Sequence, residues 1–150
     1  MLVSTKGRYA LRVMVDLAEH QGEGRIPLKQ IAERQGVSEK YLENILATLV
    51  RNGMLSGMRG KGGGYRLTRN PSDYSAGEIL RLTEGSLAPV SCLDGTCSGC
   101  ERAADCPTVG MWSKLDSMIT GYLDSGTIED LGRTRGGKEE GEGGGKKKNK

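Results

Sequence analysis

The chain has 150 residues, of which 35 % are hydrophobic and 4 % aromatic with no Phe. One small domain with an added element is its size class, and a core of Leu, Ile, Val, Met and Ala this thin favours a homo-oligomer. Charges interrupt every apolar run, so neither a membrane span nor a secretory leader is expected; the cytoplasm, with reduced thiols, is the expected location. The formal net charge of +3 conceals a division. Residues 1–72 carry 12 Lys/Arg against 6 Asp/Glu, residues 73–132 carry 3 against 10, and residues 133–150 carry 7 against 3. Only one part of such a molecule is suited to meet a polyanion.

In chain order, Tyr9, Ala10, Val13, Met14, Leu17 and Ala18 recur at helical spacing from about Thr5, and Gln21-Gly22-Glu23-Gly24 ends that helix. Ile26 can add a short strand before Pro27, which suits a helix start. Leu28, Ile31 and Ala32 mark a short second helix closed by Gly36. Ser38 is an N-cap for a third helix with Tyr41, Leu42, Ile45, Leu46, Leu49 and Val50 on one face, stopping at Asn52-Gly53. Two short extended segments, Met54–Met58 and Tyr65–Thr68, flank a glycine-rich tip and read as a hairpin. Ser75 and Glu78 form a capping box for a helix through Leu82. Residues 85–106 are loop-like and hold every cysteine. Pro107 opens a long helix whose Val109, Trp112, Leu115, Ile119 and Tyr122 make a heptad seam for another helix. Thr127–Leu131 suggests one last turn, and the Gly/Glu/Lys tail from Arg133 has too little apolar surface to order.

Helix, short helix, tight turn, helix and hairpin, in that order, place residues 38–52 as a recognition helix. Its Ser38, Glu39, Lys40 and Tyr41 would face base edges and phosphates of double-stranded DNA. Glu43 is the odd member, suited either to accept from a cytosine amino group or to repel wrong sites. In the hairpin, Arg59 and Lys61 reach out from a backbone almost free of side chains, and Arg59 suits a narrow minor groove. The alternatives are solvated charges on a flexible hairpin, or a phosphate loop; the latter fails because no Gly-Lys-Ser/Thr opens a helix here.

Three stretches carry a resemblance to a known family: Ser4-Thr5-Lys6-Gly7-Arg8-Tyr9-Ala10-Leu11; Ile31 to Ser38 with Tyr41-Leu42-Glu43; and Arg59-Gly60-Lys61-Gly62-Gly63-Gly64-Tyr65. Over residues 1–132 the chain resembles the Rrf2 family of bacterial winged-helix regulators, which includes IscR, NsrR and CymR types. The resemblance implies a mainly α fold with a small β-wing: a winged helix-turn-helix domain (1–84), a cysteine loop (85–106) and a dimerisation helix (107–132); it leaves out the Gly/Lys/Glu tail (133–150), expected to be disordered from its composition. It also implies a homodimer acting at palindromic promoters through the recognition helix and Arg59.

Cys92, Cys97, Cys100 and Cys106 lie within 15 residues, and four thiols so close in a reduced chain more often bind metal than form disulfides. Structural zinc is one reading, although C-x4-C-x2-C-x5-C is not a standard zinc-ribbon spacing. The resemblance implies an iron–sulfur cluster, 2Fe–2S or 4Fe–4S: cluster-sensing relatives carry three loop cysteines matched here by Cys92, Cys100 and Cys106, with Trp112 on the following helix. The fourth ligand departs from those relatives. The IscR-type His position is Val109, and the NsrR-type acid is Arg8. Cys97 is the simplest substitute, with Asp94 and Asp105 behind it. The sole histidine, His20, is expected to be a solvated surface residue. A thiol redox enzyme built on Cys97-Ser98-Gly99-Cys100 is the competing class; it lacks a βαβ setting and a nearby general base. A cluster-free regulator acting through protein partners, as CymR types do, lacks these cysteines.

Overall fold

Residues 3–94 and 104–136 are described by a computed structural model. Helix α1 (Thr5–Glu19) begins at Ser4, whose hydroxyl accepts from the Gly7 amide and so satisfies one orphan donor of the first turn. It buries Ala10, Val13, Met14 and Leu17 along one face. Helix α2 (Leu28–Gln35) follows Pro27 and closes at Gly36, whose φ of 67° is the left-handed cap that sends the chain into the next helix. Helix α3 (Glu39–Arg51) is capped by Ser38, which accepts from the Tyr41 amide at 3.2 Å, and it packs Leu42, Ile45, Leu46 and Leu49 against α1 and α2.

Strands β1 (Leu55–Met58) and β2 (Gly64–Leu67) pair antiparallel, with Leu55 opposite Leu67 and Met58 opposite Gly64. The strand expected at Ile26 is present as a single bridge, with Ile26 and Tyr65 exchanging both backbone hydrogen bonds at 2.9 Å. Gly64 is required there, since a Cβ would sit 2.4 Å from the Ile26 carbonyl oxygen.

Helix α4 (Ala76–Glu84) is capped by Ser75, but the reciprocal half of the expected capping box is not the bond Glu78 makes. Its carboxylate instead takes Arg69 at 2.9 Å, an ion pair that ties the end of the wing to α4. Tyr74 is fully buried between them. Its hydroxyl donates to the Met54 carbonyl and accepts from the Thr68 and Arg69 amides, which fixes the wing to the helical core.

Helix α5 (Val109–Ser125) starts two residues after Pro107, and α6 (Ile128–Gly136) follows it. The single turn expected at 127–131 is thus a helix that runs past the expected end at residue 132. Thr127 opens it by a reciprocal pair of hydrogen bonds with Asp130. Ile128 is fully buried, and the bonds Ala76 N–H to Gly126 O and Ile128 N–H to Tyr74 O hold the corner to the start of α4. One buried isoleucine among polar residues gave no periodic signal in the sequence. Residues 95–103, with Cys97 and Cys100, and the tail from 137 lie outside the described residues.

Candidate nucleic-acid interface and cysteine segment

Ser38, Glu39, Lys40, Glu43, Asn44 and Ala47 are all exposed on α3, so its apolar face is spent on the core and its polar face is free. Tyr41 is only half exposed. Its ring meets Tyr9 edge-on at 6.0 Å, and the Arg12 guanidinium lies 4.9 Å from the Tyr9 ring, so the first turn of α3 is anchored to α1 through aromatic contacts. Arg59 and Lys61 stand exposed at the wing tip, where the Gly63 N–H to Gly60 O bond closes the turn. A Cβ at Gly63 would fall 2.3 Å from the Met58 carbonyl oxygen, so this tip tolerates no side chain there.

A cleft of about 310 Å³ separates α3 from the wing and is lined by Glu43, Ala47, Arg51, Met58, Arg59 and Tyr65 among others. Burial holds the Tyr65 phenol above its usual range; the Glu43 charge adds to this and Arg59 opposes it. Glu43 of α3 and Arg59 of the wing therefore share one cleft, whereas Glu39, Lys40 and Lys61 do not line it. Asn44 and Arg51 join this face without having been singled out by sequence. Arg51 follows Glu43 by eight residues, about two helical turns, and that spacing was the available signal.

Beneath the surface lies a network that the sequence did not announce. Asp16 is 2 % exposed and accepts from Arg34 Nε and Nη2, at 2.9 and 2.7 Å, and from Gln35 Nε2 at 2.9 Å. Arg12 in turn donates to Gln35. Burial alone would raise the Asp16 pKa, but the hydrogen bonds and charge of Arg34, with Gln35, outweigh it and hold the carboxyl below the usual range. The pair locks α2 onto α1 and thereby sets where α3 begins. His20 is half-buried rather than fully solvated; its Nδ1 lies 2.7 Å from the Asp16 carbonyl oxygen.

Of the four cysteines, Cys92 and Cys106 are described, both as half-buried free thiols. A hydrogen bond with the Thr108 hydroxyl at 3.3 Å lowers the Cys106 pKa, which favours the thiolate that metals require. Asp94 Oδ1 is buried and has no hydrogen-bond partner among the described residues, two residues beyond Cys92. A buried acceptor and a thiolate-prone cysteine are chemically suited to a cationic metal group. Among the described residues no set of three or more His, Cys, Asp or Glu side chains is close enough to hold a metal, and Asp105 joins none. Also among the described residues, no helix is long and apolar enough to cross a membrane.

A short helix, a left-handed turn, a second helix with a free polar face and a cationic two-stranded wing define a winged helix-turn-helix regulator of transcription. The family model Rrf2, described as an iron-dependent transcriptional regulator, matches residues 3–134, and the chain belongs to that family. It is 39 % identical over 131 residues to the HTH-type transcriptional regulator IscR of Photorhabdus laumondii, covering 87 % of this chain and 79 % of that one. Among solved structures it is similar to T. potens IscR (TM-score 0.71, 41 % identity, 90 % and 88 % of the two chains). It is also similar to CymR, the global cysteine regulator of B. subtilis (TM-score 0.74, 36 % identity, 89 % and 98 %). These relatives are regulators by name, and the enzyme reading of the cysteines is set aside.

Proposed function

We propose that two copies of this chain bind a palindromic operator in double-stranded DNA, and that an iron–sulfur cluster on the cysteine segment sets their affinity. The observation that carries the DNA reading is the convergence of Glu43, Arg59 and Tyr65 in one cleft beside the exposed first turn of α3. Ser38, Glu39, Lys40 and Tyr41 would meet the major groove, while Arg59 and Lys61 would follow the adjacent backbone or minor groove. A two-fold dimer would present two such faces, which matches a palindromic site. The dimer reading rests on α5, where Met111, Leu115, Met118 and Tyr122 form an exposed apolar stripe of three- and four-residue spacing.

For the cluster, Cys92 and Cys106 would supply two thiolates, Cys97 and Cys100 the others, with Asp94 as an oxygen donor close by. When bound, such a cluster supplies a centre whose charge and stability depend on redox state. The chain's own contribution is to fix both ends of the loop, at Glu84 on α4 and at Cys106 before α5, so that a change in the loop acts on both helices.

Iron and sulfide content with the visible spectrum of protein purified without oxygen test the cluster directly. A coloured, iron- and sulfide-containing chain is expected; a colourless, zinc-loaded one would leave a zinc-thiolate regulator. The DNA face is tested by Arg59→Ala, expected to cost about 1–3 kcal/mol on a selected operator and less on random duplex at the same salt. Equal losses on both would reduce Arg59 to a phosphate contact.

A further inference from the structure

Helix α4 is held at its C-terminal end by two charged joints, and each reaches a different helix. In one, Arg81 grips Asp124 of α5 with two hydrogen bonds of 2.7 and 2.9 Å. In the other, Glu84, the last residue of α4, accepts from both the backbone N–H and the hydroxyl of Ser4, the N-cap of α1. Both joints depend on a missing side chain. A Cβ on Gly77 would lie 2.1 Å from Asp124 Oδ1, and a Cβ on Gly7 would lie 2.3 Å from Glu84 Oε1.

The first turn of α1 contains no acidic residue, so the partial positive charge of its N-terminus is met from outside the helix, by Glu84. That same turn carries Lys6, whose ammonium donates to Thr48 Oγ1 on α3 at 3.3 Å. Thr48 in turn donates to the carbonyl of Asn44, on the exposed face of the recognition helix. Residues of α5, α4, α1 and α3 are thus joined in sequence by Asp124–Arg81, Glu84–Ser4 and Lys6–Thr48. Immediately after Glu84 the chain turns at Gly85 and becomes the cysteine segment.

We propose that Glu84 is a positioning residue for DNA recognition: it ties the root of the cysteine segment to the first turn of α1 and, through Lys6 and Thr48, sets the recognition helix. Glu84 touches neither DNA nor cluster in this role. A displacement of the α4–loop junction would move or release the α1 N-cap, and the Lys6–Thr48 bond would carry it to α3. The regulated part of this role rests on the cluster reading above; the tie between α4 and α3 does not.

The test uses the full chain and a duplex selected from a random-sequence pool by the wild type, read by fluorescence anisotropy at fixed salt. Each protein is compared after anaerobic loading with ferrous iron and sulfide and after chelation. In the wild type the two affinities differ, and in Glu84→Gln their ratio falls to within about twofold of one. Gly7→Ala supplies a second variant that keeps the carboxylate but displaces it; Ala favours helix by about 1 kcal/mol, crowding of Thr83 Oγ1 and Val3 Cγ1 at 3.2 Å opposes that gain, and the variant's ratio falls as well. A variant ratio equal to that of the wild type overturns the regulatory role. If the wild type itself shows no difference, the cluster reading fails, and the tie is judged on the chelated proteins alone. There, the losses of Glu84→Gln and Thr48→Ala combine non-additively if the two residues are linked, whereas additivity within about twofold overturns the link.

Discussion

Helices α3 and α5 are both amphipathic and of similar length, yet α3 buries Leu42, Ile45, Leu46 and Leu49 while α5 buries no residue at all. The face of α3 is completed by α1, α2 and the wing of the same chain. That of α5 is left open, with Met118 62 % and Tyr122 79 % exposed. Val109, Trp112 and Ile119 turn only partly inward, and α5 is also held by the Arg81–Asp124 pair, 39 % and 40 % exposed and therefore worth no more than about 1 kcal/mol, and by the backbone corner at Gly126–Ile128. The contrast separates a region whose apolar face is completed within the chain from one whose apolar face stays exposed, the face proposed above to meet a second copy.

The sharpest way to break the contrast is in the core of α3. Leu46 is fully buried among aliphatic side chains, so Leu46→Ala removes the buried area and leaves a cavity, at an expected cost of about 2–5 kcal/mol. Urea unfolding of the variant measures it. A cost under 1 kcal/mol would mean that α3 is not packed as described, and the face proposed to meet DNA would lose its rigid support.

A smaller effect is expected at the joint between α1 and α2. The folded Asp16 carboxyl titrates below its unfolded value of about 3.9, so its contribution to stability is complete above that pH and is lost as pH falls through the lower folded value. Asp16→Ala should cost about 1.5–3 kcal/mol near neutral pH, because Gln35 loses a buried acceptor while Arg34, partly open to water, retains some hydration. Urea midpoints recorded from neutral to acid pH test the sign. Relative to wild type, the variant should show a shallower loss below about pH 4; identical pH dependence would remove Asp16 from the account.

Much of this architecture is legible in the sequence because it is locally encoded. Ser38 and Ser75 act as caps, Gly36 as the left-handed turn, and the glycines at 60–64 as a tip almost free of side chains. The residues proposed to face DNA follow from that order, since the polar side of α3 is what remains once Leu42, Ile45, Leu46 and Leu49 are turned inward. Contacts between residues distant in sequence were not legible. Asp16 and Arg34 are 18 residues apart, and Ser4 and Glu84 are 80 apart. Charged residues on amphipathic helices read as solvated until the packing brings them together. Tyr74 lies beside Asn70-Pro71-Ser72-Asp73, whose turn signal masks its role as the pillar under the wing. On α5 the heptad pattern is legible, but Val109, Trp112 and Ile119 turn partly inward while Met111 and Met118 join Leu115 and Tyr122 on the open face.

The smallest effect on the folded subunit is expected from the open face itself, and it discriminates most cleanly between the two helices. Met118→Ser with Tyr122→Ser removes two large apolar groups that make no buried contact, so the subunit should unfold within about 0.5 kcal/mol of wild type when both are dilute enough to be monomeric. At higher concentration the proteins should part. If the proposed dimer forms, the wild type should sediment as a dimer and gain stability by mass action, so that its midpoint rises with concentration, while the variant should stay monomeric with a constant midpoint. Affinity for a palindromic duplex should then fall toward that of a single half-site, with the α3 and wing contacts intact. If the double variant still sediments as a dimer, the stripe on α5 is not the interface, and the pairing of two recognition helices must be sought on another surface. If it unfolds far more easily while monomeric, α5 supports the core of its own subunit after all, and its resemblance to α3 is closer than their burial suggests.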